Sequence, residues 1–246
     1  MNQEPKIYMP DLGVHNKNLD VSIDRLEKSK TYKDLSTIII CPTRGVIPAR
    51  VVQSFMGMMR PMNQKVIGPI FAIGMEVGAA YNNIIESILA NPELSKFKYI
   101  LTIEEDNMPP ADGLLKLYES MDEYDVVQGL YWTKGEGGQP MQYGDPKVIP
   151  KNFIPQKPKT GEIVPCNGLG MGFNLFKLDM FKDPDIPKPW FKTVQEVTPG
   201  GAKAYTQDLY FYENAAKAGY IFACDNRILV GHYDYAGTAG QPDKVW

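Results

Sequence analysis

The chain has 246 residues, 43% of them apolar and 22% charged, and its 26 basic and 29 acidic side chains give a formal charge of −3. That profile excludes a disordered, collagenous or coiled-coil chain and leaves no global basic footprint for non-specific nucleic-acid binding. No stretch approaches the roughly 18 to 20 apolar residues of a membrane span, and the opening MNQEPKIYMP lacks the charged start and apolar core of a secretory leader, so a soluble, cytoplasmic protein is expected.

Residues 1 to 36 read as an N-terminal extension, punctuated by Pro5, Pro10 and Gly13, with weak helical periodicity from Asp20 to Asp34. From Thr37 short apolar runs alternate with helical segments, the pattern of βαβ units in a mainly parallel sheet, and residues 37 to 246 read as a single domain. TIIIC (Thr37 to Cys41) is apolar throughout, as a strand buried on both faces should be, and is expected to stop at Pro42. A short PTRG loop and a helix from Pro48 to Met59 follow. Val66 to Gly74 is a second apolar run, which Pro69 places at an edge or makes irregular. Helical spacing of Val77, Ala80, Tyr81, Ile84, Ile85, Ile88 and Leu89 predicts a helix over Glu76 to Leu89.

Phe97 to Ile103 is a third strand that runs straight into Glu104, Glu105 and Asp106, and Pro109-Pro110 opens a helix ending near Met121. Asp125 to Trp132 is a fourth strand. Lys134 to Pro165 is Gly- and Pro-rich and too long for an ordinary connection, which makes it a candidate binding loop. Gly168 to Leu178 reads as a glycine-loosened strand, Thr206 to Gly219 as a capped helix, and Tyr220 to Val230 as a last strand ending at Gly231-His232. Cys41, Cys166 and Cys224 are odd in number, far apart and without metal-ligand spacing, so buried free thiols are expected.

The acids at 104 to 106 stand at the carboxyl end of a buried strand, where open α/β sheets bind ligands, and carboxylates there can hold Mg²⁺ or Mn²⁺ against a diphosphate. An acidic turn favoured by the following helix dipole is an equally physical reading. His232, one of two histidines, can complete such a metal site if the two strand ends converge, or be an ordinary structural residue. Asp208 suits a general base as well as a first-turn helix acid, with Thr206 as the N-cap. Glycines 168, 170 and 172 lack the dinucleotide-binding spacing and either let backbone approach a ligand or mark a bulged strand. No P-loop, nucleophile elbow, HExxH or CxxC occurs, which removes the usual support for P-loop hydrolysis, α/β-hydrolase chemistry and zinc proteolysis.

The succession TIIICPTRG, AAYNNII, YILTIEEDNMPP, YDVVQGLYW, GLGMGFNLFKLDMF, TQDLYFYENAAKAGY and VGHYD resembles a GT-A fold glycosyltransferase of the family-two-like type, from about Thr37 to Asp234. The resemblance implies a three-layer αβα sandwich and transfer of a sugar from a nucleotide-diphosphate donor, UDP- or GDP-linked, with Mn²⁺ or Mg²⁺. In it Glu104-Glu105-Asp106 matches the DxD motif with Glu in the first place, so Asp106 is the metal ligand and Glu104 or Glu105 reaches ribose or metal-bound water. Pro42, Thr43 and Arg44 match the loop holding base and ribose. In AAYNN, Tyr81 stands where many relatives carry a diphosphate-reaching arginine and is read as core or a stacking residue, with Asn82 as a donor-side residue by the resemblance. Gly170 falls in the segment beside the donor sugar, Gln207-Asp208 resembles the Glu-Asp pair near the acceptor with Asp208 as base, and His232 matches the C-terminal metal-binding histidine. The acceptor, whether glycan, protein, lipid or nucleic acid, is open; Trp132 and Trp190 are acceptor-side candidates by virtue of their rings. A non-catalytic nucleotide-sugar or glycan-binding domain of the same fold is the alternative.

Overall fold

The structure is a computed structural model, and it describes residues 6–8, 28, 33–198, 201–234 and 244–245. The strands are β1 (Lys6–Tyr8), β2 (Thr37–Thr43), β3 (Val66–Ile73), β4 (Tyr99–Ile103), β5 (Asn107–Met108), β6 (Val126–Leu130), β7 (Gln142–Tyr143), β8 (Ile163–Cys166), β9 (Gly168–Leu169), β10 (Phe173–Lys177), β11 (Val194–Thr198), β12 (Gly201–Tyr205), β13 (Phe222–Leu229), β14 (Gly231–Asp234) and β15 (Lys244–Val245). The helices are α1 (Ala49–Gly57), α2 (Val77–Ala90), α3 (Gly113–Glu119) and α4 (Gln207–Lys217).

Eight strands form the central sheet in the order β1-β3-β2-β4-β10-β6-β13-β8. β3, β2, β4, β6 and β13 run one way; β10 is inserted antiparallel between β4 and β6, and β1 and β8 run antiparallel at the two edges. The mainly parallel α/β sheet is therefore as expected, and the glycine-loosened segment supplies its reversed inner strand. Strand alternation builds the layers. Ile38 and Ile40 face a core with Ile84 and Ile88 of α2 and Phe211 of α4, while Ile39 faces a second core with Leu114 and Leu117 of α3.

Several boundaries differ from expectation for stated reasons. β2 continues through Pro42 to Thr43 because its pairing with β4 ends at Ile40, leaving Pro42 in a ladder with β3 alone, where a missing N–H is tolerated. Pro69 does make β3 irregular: Ile38 pairs Ile67 and Ile40 pairs Ile70, so one extra residue bulges out beside Gly68 at φ +98. β3 is nevertheless not an edge, since β1, from the segment read as an extension, covers its outer side. The helical reading of Asp20 to Asp34 lies almost entirely outside the described residues. The three cysteines are buried and free, as their spacing suggests. Among the described residues, no helix is long and apolar enough to cross a membrane.

Candidate active site

The carboxyl ends of β2 and β4 open into a cleft of about 220 Å³ lined by Pro42, Thr43, Arg44, Met75, Val77, Glu104, Glu105 and Asp106. Six of these were singled out by the sequence. Their convergence follows from topology, because β2 and β4 are adjacent and parallel, so both chains leave the sheet on the same side.

Each acid in the EED run has a different environment. Glu105 is buried and accepts hydrogen bonds from the Thr43 hydroxyl (2.6 Å) and the Arg44 amide (2.7 Å), and it is ion-paired with the Arg44 guanidinium. It thus fixes the PTR loop. Glu104 is partly buried against Tyr81, whose hydroxyl donates to Oε1 (3.3 Å). Burial, followed by the charges of Asp106 and Asp208, pushes its carboxyl up to about 7. Burial would raise Asp106 too, but the His232 and Lys134 contacts outweigh it and hold this carboxylate below its ordinary range.

His232 reaches Asp106 by a device the sequence did not reveal. The chain continues past β13 into β14, which pairs with β5, and His232 sits opposite Asn107 while the Tyr233 amide donates to the Asp106 carbonyl (2.7 Å). His232 Nδ1 lies 2.7 Å from the Trp132 carbonyl, which can only accept. The Nδ1 proton is thereby fixed, so Nε2, 3.6 Å from Asp106 Oδ1, is the nitrogen that carries the lone pair whenever the ring is neutral. Two donors held in this way suit a divalent ion: octahedral neighbours at about 2.1 Å from Mg²⁺ lie roughly 3 Å apart. Among the described residues no group of three or more His, Cys, Asp and Glu side chains forms a complete cage. A divalent ion held by this pair would take its remaining ligands from water or from substrate oxygens.

Asp208 opens α4 and is only 7% exposed, and Leu209 N–H donates to its Oδ1 (2.9 Å). Burial raises its pKa against the opposing hydrogen bonds of Thr206 and the helix amides. Thr206 occupies the N-cap position but makes no side-chain bond to a helix amide, so the expected cap is only positional.

Three of the expected contact residues have close protein partners. Asn82 is not among the cleft-lining residues: its amide donates to the carbonyls of Gly78 and Phe191 (both 2.8 Å) and accepts from the Phe191 amide (3.1 Å), tying α2 to the segment before β11. Gly170 is buried, and a Cβ there would lie 2.1 Å from the Tyr131 hydroxyl, so close protein packing by itself requires this glycine. Trp190 is 1% exposed and packs edge-on against Phe181, so its ring is core. Tyr81 is likewise buried, beneath Glu104 and against Phe191.

Lys134 was missed. It lies on the turn after Trp132, and its ammonium is ion-paired with Asp106 Oδ2. Sequence offers one faint signal, a lysine two residues beyond a strand end that faces an acidic strand end, but nothing in a lone lysine marks it.

This site sits on a GT-A-like fold. A197 from STIV superposes with a TM-score of 0.56 at 17% identity, over 81% of this chain and 86% of that one. The glycosyltransferase GalNAc-T7, solved with UDP, GalNAc and Mn²⁺, superposes with a TM-score of 0.52 at 9% identity, over 89% of this chain and 53% of that one. The chain thus spans about half the length of GalNAc-T7. No protein-family model matches the chain, and no curated protein matches it in sequence. At these identities the likeness establishes the fold, and the chemistry must be argued from the site.

Proposed function

We propose that the protein is a metal-dependent glycosyltransferase that moves a sugar from a nucleotide-diphosphate donor to an acceptor hydroxyl. The observation that carries this reading is the facing pair Asp106 Oδ1 and His232 Nε2, fixed in its metal-binding tautomer by Trp132, at the rim of the Thr43, Arg44 and Glu105 cleft.

Asp106 and His232 would hold Mn²⁺ or Mg²⁺, which supplies Lewis-acid stabilisation of the negative charge that develops on the departing diphosphate. Pro42, Thr43 and Arg44 receive the nucleoside, and Glu105 holds that loop rigid so that little ordering is needed on binding. Glu104, which accepts from the Tyr81 hydroxyl and feels the charge of Asp106, would reach ribose or water beside the cation. Asp208 accepts the proton of the attacking acceptor hydroxyl, its raised basicity following from burial. The donor is UDP- or GDP-linked.

Calorimetry with UDP, GDP, UDP-glucose and GDP-mannose, with Mn²⁺ and with chelator, tests this reading. Mn²⁺-dependent binding of one nucleotide class, followed by release of that nucleoside diphosphate in the presence of sugar acceptors, is the expected result. Binding without any turnover would make the protein a nucleotide-sugar-binding domain instead. Absence of binding in every combination would refute the donor site.

A further inference from the structure

We propose that Lys134 is a direct contact for the donor's diphosphate, held on Asp106 until a divalent cation takes that carboxylate. The inference rests on the donor-site reading above and extends it to a residue in the long Gly- and Pro-rich segment.

The two oxygens of Asp106 face different positive or electron-pair partners: Oδ2 is ion-paired with the Lys134 ammonium, and Oδ1 faces His232 Nε2. Both side chains of the ion pair are substantially shielded, at 29% exposure for Lys134 and 15% for Asp106. A dication on Oδ1 and Nε2 would place two cationic centres on one small carboxylate, and their repulsion in a partly buried site is strong. That repulsion draws the ammonium from Asp106 toward any anionic oxygens that arrive beside the cation. A diphosphate bound to the cation brings new anionic oxygens to the same place. Lysine is suited to them, as a point charge with three donors on a flexible four-carbon stem.

The backbone is built for such a swing of the side chain alone. Thr133 N–H donates to the Gln139 carbonyl (2.9 Å), Gln139 N–H donates to the Thr133 hydroxyl (2.8 Å), and Gly138 N–H donates to the Gly135 carbonyl (3.2 Å). Gly135 and Gly137 adopt φ +98 and +76, and a Cβ on Gly138 would meet the Thr133 carbonyl oxygen at 2.4 Å, so the turn depends on its glycines. One short stretch therefore serves both sides of Asp106: the Trp132 carbonyl orients His232, and Lys134 neutralises the carboxylate two residues later. The cation and the diphosphate consequently bind as a coupled pair, each relieving the cost that Lys134 imposes on the other.

The test compares wild type with Lys134→Met, which keeps the stem, and Lys134→Arg, which keeps the charge, by calorimetry. Titrated with Mn²⁺ alone, Lys134→Met should bind about tenfold tighter than wild type, because its competitor is gone. With Mn²⁺ saturating, the same variant should lose about tenfold in affinity for UDP or GDP while binding UMP or GMP as wild type does. Lys134→Arg should restore the preference for the diphosphate. Unchanged or weaker Mn²⁺ binding by Lys134→Met, or equal weakening toward mono- and diphosphate, would overturn the role of Lys134 while leaving the donor site standing. Failure of all three proteins to bind Mn²⁺ and any nucleotide would overturn the donor-site reading and this inference together.

Discussion

Two regions of the molecule carry residues that the sequence suggests for ligand contact, and the fold treats them oppositely. At the ends of β2, β4 and β14, charged side chains converge on a cleft, and the Asp106 and His232 donors face each other across 3.6 Å. In the long connection before β8 and the glycine segment around β9, polar groups turn inward instead. Gln156 Nε2 donates to the carbonyls of Gly144 and Pro165 (both 2.9 Å), Asn167 Nδ2 donates to the Asn152 carbonyl (2.9 Å), and Asn174 Nδ2 donates to the Gly170 carbonyl (2.7 Å) and the Tyr212 hydroxyl (2.7 Å). The candidate binding loop is thus largely stapled to itself, with Lys134 at its start as the exception. Clustered charge at a strand end is the better guide to a site than glycine content, because glycine answers equally to packing and to ligand approach.

The sharpest break of this contrast is Asp106→Ala. Loss of the cation's carboxylate and of the Lys134 partner should cut turnover by about a thousandfold or more, with the circular dichroism spectrum unchanged, since β4 itself is held by its ladders. Full activity with the same metal dependence would remove Asp106 from the site.

Gly170→Ala probes the other region and should act on stability. The new methyl meets the Tyr131 hydroxyl in a buried position, and overpacking of this kind costs about 1 to 3 kcal/mol, read as a lower denaturation midpoint. Nucleotide affinity per folded molecule should not change. A selective loss of donor binding at unaltered stability would return Gly170 to the donor site.

Asn82→Ala should behave in the same way for a different reason. It strips the Phe191 amide and carbonyl of their partner and should destabilise by about 1 to 3 kcal/mol with donor affinity preserved. A changed nucleotide affinity without a stability change would contradict that assignment.

His232→Ala should leave stability nearly intact and weaken Mn²⁺ binding by about ten- to a hundredfold, measured by calorimetry. Unchanged Mn²⁺ affinity would make His232 a structural partner of Trp132 and nothing more.

Much of the scaffold was legible because it is local. The TIIIC run, the 3.6-residue period of Ile84, Ile85 and Ile88, and the acids directly after β4 each announce themselves within a dozen residues. Tertiary partners, by contrast, leave no local mark. Asn82 has the chemistry of a ligand contact, yet a backbone segment 109 residues away uses it. Gly170 has the freedom to admit a ligand, yet Tyr131 fills the space. Trp190 has the ring for a sugar, yet Phe181 covers it.

The sequence by itself determined that a mainly parallel α/β sheet forms and that acids emerge at the carboxyl end of one of its strands, since periodicity and strand chemistry are properties of contiguous residues. Only the tertiary structure decided which charges meet. β14 had to run on past β13 and pair with β5 before His232 could face Asp106, and the turn after β6 had to fold back before Lys134 could reach the same carboxylate. Those pairings join residues 126 and 28 positions apart, respectively, and the energy that selects them comes from strand pairing and burial between distant segments, which no local pattern records.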